Sequence, residues 1–363
     1  MGLFDKVKNI ANDALDKGKE LANEALDKTK EKMNAEIIQE KLSQGISDAI
    51  EKVSNEREEY YKNHANPNIS EIANIVQSCS NKNAAISGGA GMIPGPWGMA
   101  ASIPEILLVM KNQMAMIYDI AKAHGHTKVE KELIIAILFG AVGNAATSLV
   151  VVHGQKIMAK RVGARALQKV IHILGGKITQ QMAKSMAAKW LPVAGAVAMA
   201  AWSKYSTSKI GDKAIEVFSK EIEFENDETF EITTEDLPAV NNETSSDTTK
   251  TKIEILINLM KIDGKIDEEE VKYVQGFIEK SNLSNDDEMV LIEQLGGSDK
   301  IKVDYTLFKS NQEEALYLLI DLIALAKVDG EFHVTEKMFI KNIAKTIEFS
   351  EDDLAELMSD MTL

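Results

Sequence analysis

Cysteine is nearly missing from this chain: Cys79 is the single one in 363 residues. An internal disulfide framework and a thiolate zinc cage both need several cysteines, so both are excluded, and a reducing compartment fits best. Proline is scarce at six, and aromatic residues make up 6%. Ala, Lys, Glu, Leu, Ile and Met dominate, and alternation with a period of two hardly appears, which predicts long helices over sheet. The expected fold class is all-α. A secretory leader is not expected, because MGLFDKVKNI meets Asp5, Lys6 and Lys8 before any apolar core. Lys6 stands where a myristoylation motif wants Ser or Thr.

Catalytic signatures are missing as well. The Gly- and Pro-rich run SGGAGMIPGPWGMAASIPE, residues 87–105, has no G-K-[ST] after its glycines, and Pro94 takes the place of the third glycine of a G-x-G-x-x-G turn. Cys79 and Ser80 have no adjacent base, and no G-x-S-x-G elbow exists. Six histidines form no H-E-x-x-H signature, and the pair His124 and His126 around Gly125 reads as a helix C-terminus.

What is present is a chain of unequal halves. Residues 221–363 hold 35 acidic and 13 basic side chains (net -22), which leaves residues 1–220 at +7 within the total of -15. The steepest basic stretch, 153–220, includes Lys156, Lys160, Arg161 and Arg165. Length and composition predict two folded units with extensions.

Residues 1–55 are expected to be an amphipathic arm. IANDALDKGKE and LANEALDKTKE, at 10–20 and 21–31, repeat without a gap. Eleven residues make three helical turns, so Val7, Ile10, Ala14, Leu21 and Ala25 share one face. The opening GLFDKVKNIA resembles short bilayer-surface peptides, and the eleven-residue period resembles lipid-surface helices of apolipoproteins and synucleins. Leu3, Phe4, Val7, Ile10 and Leu21 are the expected lipid-facing residues, with self-association of the helix as the alternative.

Residues 65–220 contain nearly charge-free runs, notably LIIAILFGAVGNAATSLVVV at 133–152 and WLPVAGAVAMAAW at 190–202. The first is long enough to span a bilayer, but its polar residues and glycines favour a buried core helix, with a membrane span as the alternative. The string GGAGMIPGPWGMAASIPEILLVMKNQMAMIYDIAKAHG, 88–125, resembles the EcsC family, and about residues 70–220 would be covered. Ser102 replaces the family's usual Asp before Ile103-Pro104, and His124 replaces its Tyr before Gly125. The resemblance implies a helical fold more than an activity. A lipid-acting enzyme assembled from Glu105, Asp119 and His124 is the alternative. Trp97 and the four basic residues Lys156, Lys160, Arg161 and Arg165 are the expected contacts to anionic lipid. Nucleic acid is not expected, since no aromatic platform accompanies the basic run.

Residues 221–250 read as an acidic linker. Residues 251–363 carry a 66-residue repeat: KIDGKIDEEE at 261–270 aligns with KVDGEFHVTE at 327–336, and NLSNDD at 282–287 with EFSEDD at 348–353. Two related helical units are predicted. An EF-hand is excluded, because Leu259 and Lys261 would occupy its first two ligand positions. Gly264 and Gly330 suit helix ends, and Asp267 with Glu270 suits a helix cap. The helix, Asp-Gly turn, helix units resemble the TerB family of tellurite-resistance proteins. That resemblance implies a divalent cation, Ca2+ or Mg2+, at Asp263, Asp267, Asp329 and Glu336.

The combined expectation is a non-enzymatic bacterial protein of envelope stress or defence, peripheral at the inner face of the cell membrane. The arm and basic domain would meet an anionic membrane surface, and the acidic TerB-like domain would recruit protein partners or sense divalent metal.

Overall fold

The computed structural model describes residues 35–90, 96–142, 149–185, 192–227, 246–262, 264, 266–281, 283–309 and 311–360. Leu3, Phe4, Val7, Ile10 and Leu21 lie outside the described residues, as does Asp263. In chain order the elements are α1 (Ala35–Asn63), α2 (Ile72–Ala90), α3 (Pro96–Ala123), α4 (Lys131–Val142), β1 (Val150–His153), β2 (Lys156–Val162), α5 (Ala164–Ser185), α6 (Pro192–Phe218) and β3 (Glu221–Asp227). After them come α7 (Ser246–Met260), α8 (Glu268–Lys280), α9 (Asn285–Gly296), α10 (Thr306–Lys309), α11 (Gln312–Leu325), α12 (Val334–Thr346) and α13 (Glu351–Asp360). The chain is predominantly helical with one small sheet, and it divides into two compact units, one within Asn34–Lys184 and Met199–Val240 and one containing Asn241–Leu363.

In the first unit, Ile38, Leu42, Ile46, Ala49, Ile50 and Val53 recur at helical spacing and are all buried along α1. This helix runs through residue 55, so the stripe that sequence assigns to the end of an arm is part of a packed core with α3. Small residues let the helices close up: a Cβ at Gly175 on α5 would fall 2.9 Å from the Gln39 carbonyl of α1. A buried amide network then joins three helices. Asn83 of α2 and Gln113 of α3 each donate to Thr207 Oγ1 of α6 at 3.1 Å, and Asn112 donates to Asn83 Oδ1 at 2.8 Å. Such a network fixes helix register, because a slip would strand buried donors.

The Gly/Pro run enters a helix at each end. Helix α2 extends to Ala90, and α3 starts at Pro96, where a missing N–H costs nothing. It then continues through Pro104, which is exposed while its neighbour Ile103 is buried. Burial of the opposite face offsets the one backbone bond that Pro104 removes.

The 133–152 run is buried at Leu133–Leu138 on α4, but it is not one helix, since Val150 already lies in β1. Consecutive β-branched valines favour the extended chain. No described helix is long and apolar enough to cross a membrane.

The sheet has the order β1-β2-β3, antiparallel between β1 and β2 and parallel between β2 and β3. Strand β3, EIEFEND, occupies the first seven residues of the stretch expected as a linker. Its local alternation explains the difference: Ile222 and Phe224 pack against the core, and the glutamates between them lie on the other face.

In the second unit the 66-residue offset is realised in full. Helices α7, α8 and α9 begin at residues 246, 268 and 285, and α11, α12 and α13 begin at 312, 334 and 351.

Candidate functional site

The glycine of the repeated Asp-Gly turn is held the same way in both copies. The Gly264 N–H donates to the Lys261 carbonyl at 3.3 Å, and the Gly330 N–H to the Lys327 carbonyl at 3.0 Å. Gly264 has φ +75° and Gly330 φ +86°, a left-handed conformation that a side chain would strain. Asp329 Oδ1 accepts the Glu331 N–H at 2.9 Å and closes its turn.

A cap starts the next helix in each copy. Asp267 Oδ1 accepts the Glu269 N–H at 2.7 Å, and Glu270 reaches back to the Asp267 N–H at 3.2 Å. In the second copy Glu336 accepts the His333 N–H at 2.8 Å. Glu270 and Glu336 are buried, while Asp267 and Asp329 are exposed. Carboxylates at these helix N-termini sit where free N–H groups and the helix dipole favour negative charge. Of the four residues expected to hold a cation, Asp267 and Glu336 accept backbone N–H groups at a helix cap, and Asp329 accepts one in its turn. Among the described residues no group of three or more His, Cys, Asp or Glu side chains is placed to hold a metal ion.

Inside the second unit lies a charged group that sequence reading missed. Lys252 of α7 pairs with Asp321 of α11, and Asp321 is 5% exposed. Burial pushes its carboxyl above the usual range, with Lys252 opposing and the buried Glu314 adding to the rise. Burial, then the neighbouring Asp321, also raises the Tyr273 phenol of α8 well above its ordinary value, and its hydroxyl has no hydrogen-bond partner among the described residues. A signal existed: Asp321 is the one charge in ALYLLIDLIALA, 315–326, and a lone carboxylate in a buried run needs a partner.

In the first unit the alternative catalytic group does not converge. Asp119 is held by Arg57 and by Tyr61, whose hydroxyl donates at 2.8 Å. Glu105 lies fourteen residues earlier on α3, about 21 Å along the axis at 1.5 Å per residue. His124 and His126 end that helix as expected: the His126 N–H returns to the Ala121 carbonyl at 3.0 Å around Gly125, φ +83°. Burial, then His126, lowers the His124 pKa, and its Nε2 is buried with no hydrogen-bond partner among the described residues. Burial pushes the Cys79 thiol up to about 12, the opposite of an activated nucleophile.

The basic residues expected at lipid are distributed differently from a bare patch. Lys156, Lys160 and Arg161 lie on β2, and Arg165 is exposed on α5. Lys156 pairs with Glu223 and, at 3.7 Å, with Glu221 of β3; the Glu223 bond first, then Glu221, raises its pKa. Arg161 donates to Glu130 at 3.0 Å and stacks over the Phe224 ring at 4.7 Å. Thus the acidic strand partly answers the basic one. Trp97 lies in the first turn of α3, and its side chain is outside the described residues.

Neither a curated protein nor a solved structure matches the chain. No match to the EcsC family accompanies residues 70–220. Residues 251–359, which hold both copies of the helical repeat, match the family described as Tellurite resistance protein TerB, and this part of the chain is similar to that family.

Proposed function

We propose that the chain is a non-enzymatic scaffold with a role related to tellurite resistance and envelope stress or defence. Its TerB-like unit would sense a divalent cation or recruit protein partners, and its arm and basic first unit would rest on anionic lipid. One observation carries the reading: the match to the TerB family covers a unit whose two copies repeat the same turn, cap and helix at an offset of 66 residues. Asp267, Asp329 and Glu336, together with Asp263, are the cation-binding candidates, as hard oxygen donors suited to Ca2+ or Mg2+. Lys156, Lys160, Arg161, Arg165, Trp97 and the arm residues Leu3, Phe4, Val7, Ile10 and Leu21 are the membrane candidates, through charge and apolar insertion. An EcsC-like fold for residues 70–220 belongs to the same proposal and rests on the string at 88–125.

Flotation of the full chain with vesicles tests the membrane part. Binding to anionic vesicles that falls with salt and with removal of residues 1–34 is expected; equal binding to neutral vesicles, or none, overturns it. Calorimetric titration with Ca2+ and Mg2+ tests the metal part, and no heat at millimolar cation overturns that.

A further inference from the structure

Helices α8 and α12 occupy equivalent places in the repeat, each of thirteen residues, yet their solvent faces carry opposite charge. On α8 the exposed positions include Glu268, Glu269 and Glu279, with Lys272 the one base among the described side chains and Lys280 the helix's last residue. On α12 the exposed positions include Lys341 and Lys345, with Lys337 half-buried and no exposed acid. Glu268, Glu269, Lys341 and Lys345 have no ion-pair partner among the described residues. Those four charges are therefore unpaired among the described residues of the unit.

Apolar exposure falls on α12 and on α9, which packs against α8. Val334 is 70% exposed and Met338 60%, one turn apart on α12 and beside the two lysines. In the first copy Met289 is 68% exposed and Val290 41%, on α9, which packs against α8. Four of the five large apolar residues exposed in the described part of this unit lie on α9 and α12, the fifth being Leu307. Isolated exposed apolar residues need no explanation, but a pair beside unpaired charge of one sign offers an apolar centre with a charged rim.

We infer that the chain associates with a second copy of itself, the basic and apolar face of α12 on one copy meeting the acidic face of α8 on the other. The two faces are inequivalent, so the contact is head-to-tail and each bound copy leaves one face open for the next. Charge sets the register and the encounter rate, and the Val334 and Met338 side chains supply the apolar burial. Such growth suits a scaffold, but the inference does not rest on the scaffold reading or on any metal or lipid.

Sedimentation velocity of the full chain from about 1 to about 100 µM, at about 0.05 and about 0.3 M salt, is the experiment. Open-ended growth with concentration that weakens with salt is expected. Reversing one face, Lys341→Glu with Lys345→Glu, or the other, Glu268→Lys with Glu269→Lys, weakens association about tenfold in each variant alone. An equal mixture of the two variants restores it, because each then meets a partner of opposite charge. All four side chains are exposed, and unchanged circular dichroism verifies folding of both variants. A monomer throughout the range overturns the inference. So does association that survives either reversal undiminished, which would place the contact elsewhere, and so does a mixture that stays as weak as its components.

Discussion

Lys252 and Asp321 form an ion pair across α7 and α11 in which the two partners are unequally buried: the lysine side chain keeps 17% exposure and the aspartate 7%. The inequality makes the pair's two halves differ in cost. In Lys252→Met the carboxylate stays buried and uncompensated, and stability should fall by about 3 kcal/mol. In Asp321→Leu the lysine can turn toward water, so the loss should be smaller, and the double variant should lie near wild type. Because burial raises the Asp321 pKa, the folded Lys252→Met protein holds a proton more tightly than the unfolded chain does. Its deficit relative to wild type should therefore shrink as pH falls from 7 toward the unfolded carboxyl pKa near ~4. Chemical denaturation at several pH values checks this, and a deficit that does not vary with pH would contradict it.

His124 gives the opposite sign. Its folded pKa is lowered, so between that value and about 6.5 the unfolded chain binds more protons and stability drops as pH falls. His124→Leu removes the group that must charge while buried. Denaturation midpoints measured between about pH 7 and 5 should decline less in the variant than in wild type. Equal slopes would mean that His124 stays neutral in both states or is free to charge in both.

Strand β3 covers part of the basic charge offered to a membrane. Glu221 and Glu223 both pair with Lys156 and stand beside Met158 and Lys156 in the parallel register. Glu221→Gln with Glu223→Gln leaves the backbone ladder and the half-buried Ile222 and Phe224 in place while releasing Lys156. Affinity for anionic vesicles should rise severalfold at low salt, by about 1 kcal/mol for one freed lysine near the surface. Unchanged flotation would show that β2 does not face lipid.

Periodicity and turn chemistry made the second unit legible. A gapless repeat with Gly and Asp at fixed offsets predicts two copies of helix, turn, cap and helix, and α7 to α9 and α11 to α13 follow that register. Strand β3 was hidden for a simple reason: its alternation covers only EIEFE, inside a stretch whose composition is otherwise polar and acidic. The 133–152 run misleads because uncharged length does not distinguish one helix from a helix followed by a strand. The Arg57, Tyr61 and Asp119 group, the Asn83, Gln113 and Thr207 network and the Lys252 and Asp321 pair are closed by contacts between residues 58 to 124 positions apart, and no local pattern reports such distances. Only Asp321 announced itself, as a charge in an apolar run.

The caps and the proposed cation site draw on the same carboxylates, and amide variants separate the two roles. Glu336→Gln keeps an oxygen that accepts the His333 N–H, so the cap survives and stability should change by only a few tenths of a kcal/mol, whereas Glu336→Ala loses the acceptor and should cost about 1 kcal/mol. Asp329→Asn likewise keeps the bond to the Glu331 N–H. A hard divalent cation discriminates differently, since it needs anionic oxygen and loses most of its attraction to a neutral amide. If these residues bind Ca2+ or Mg2+, the Glu336→Gln and Asp329→Asn variants should retain wild-type midpoints without metal and lose the heat of titration. Two outcomes would assign the carboxylates to the turns alone: heat that persists in both amide variants, or no heat in wild type beside the alanine variant's loss of stability.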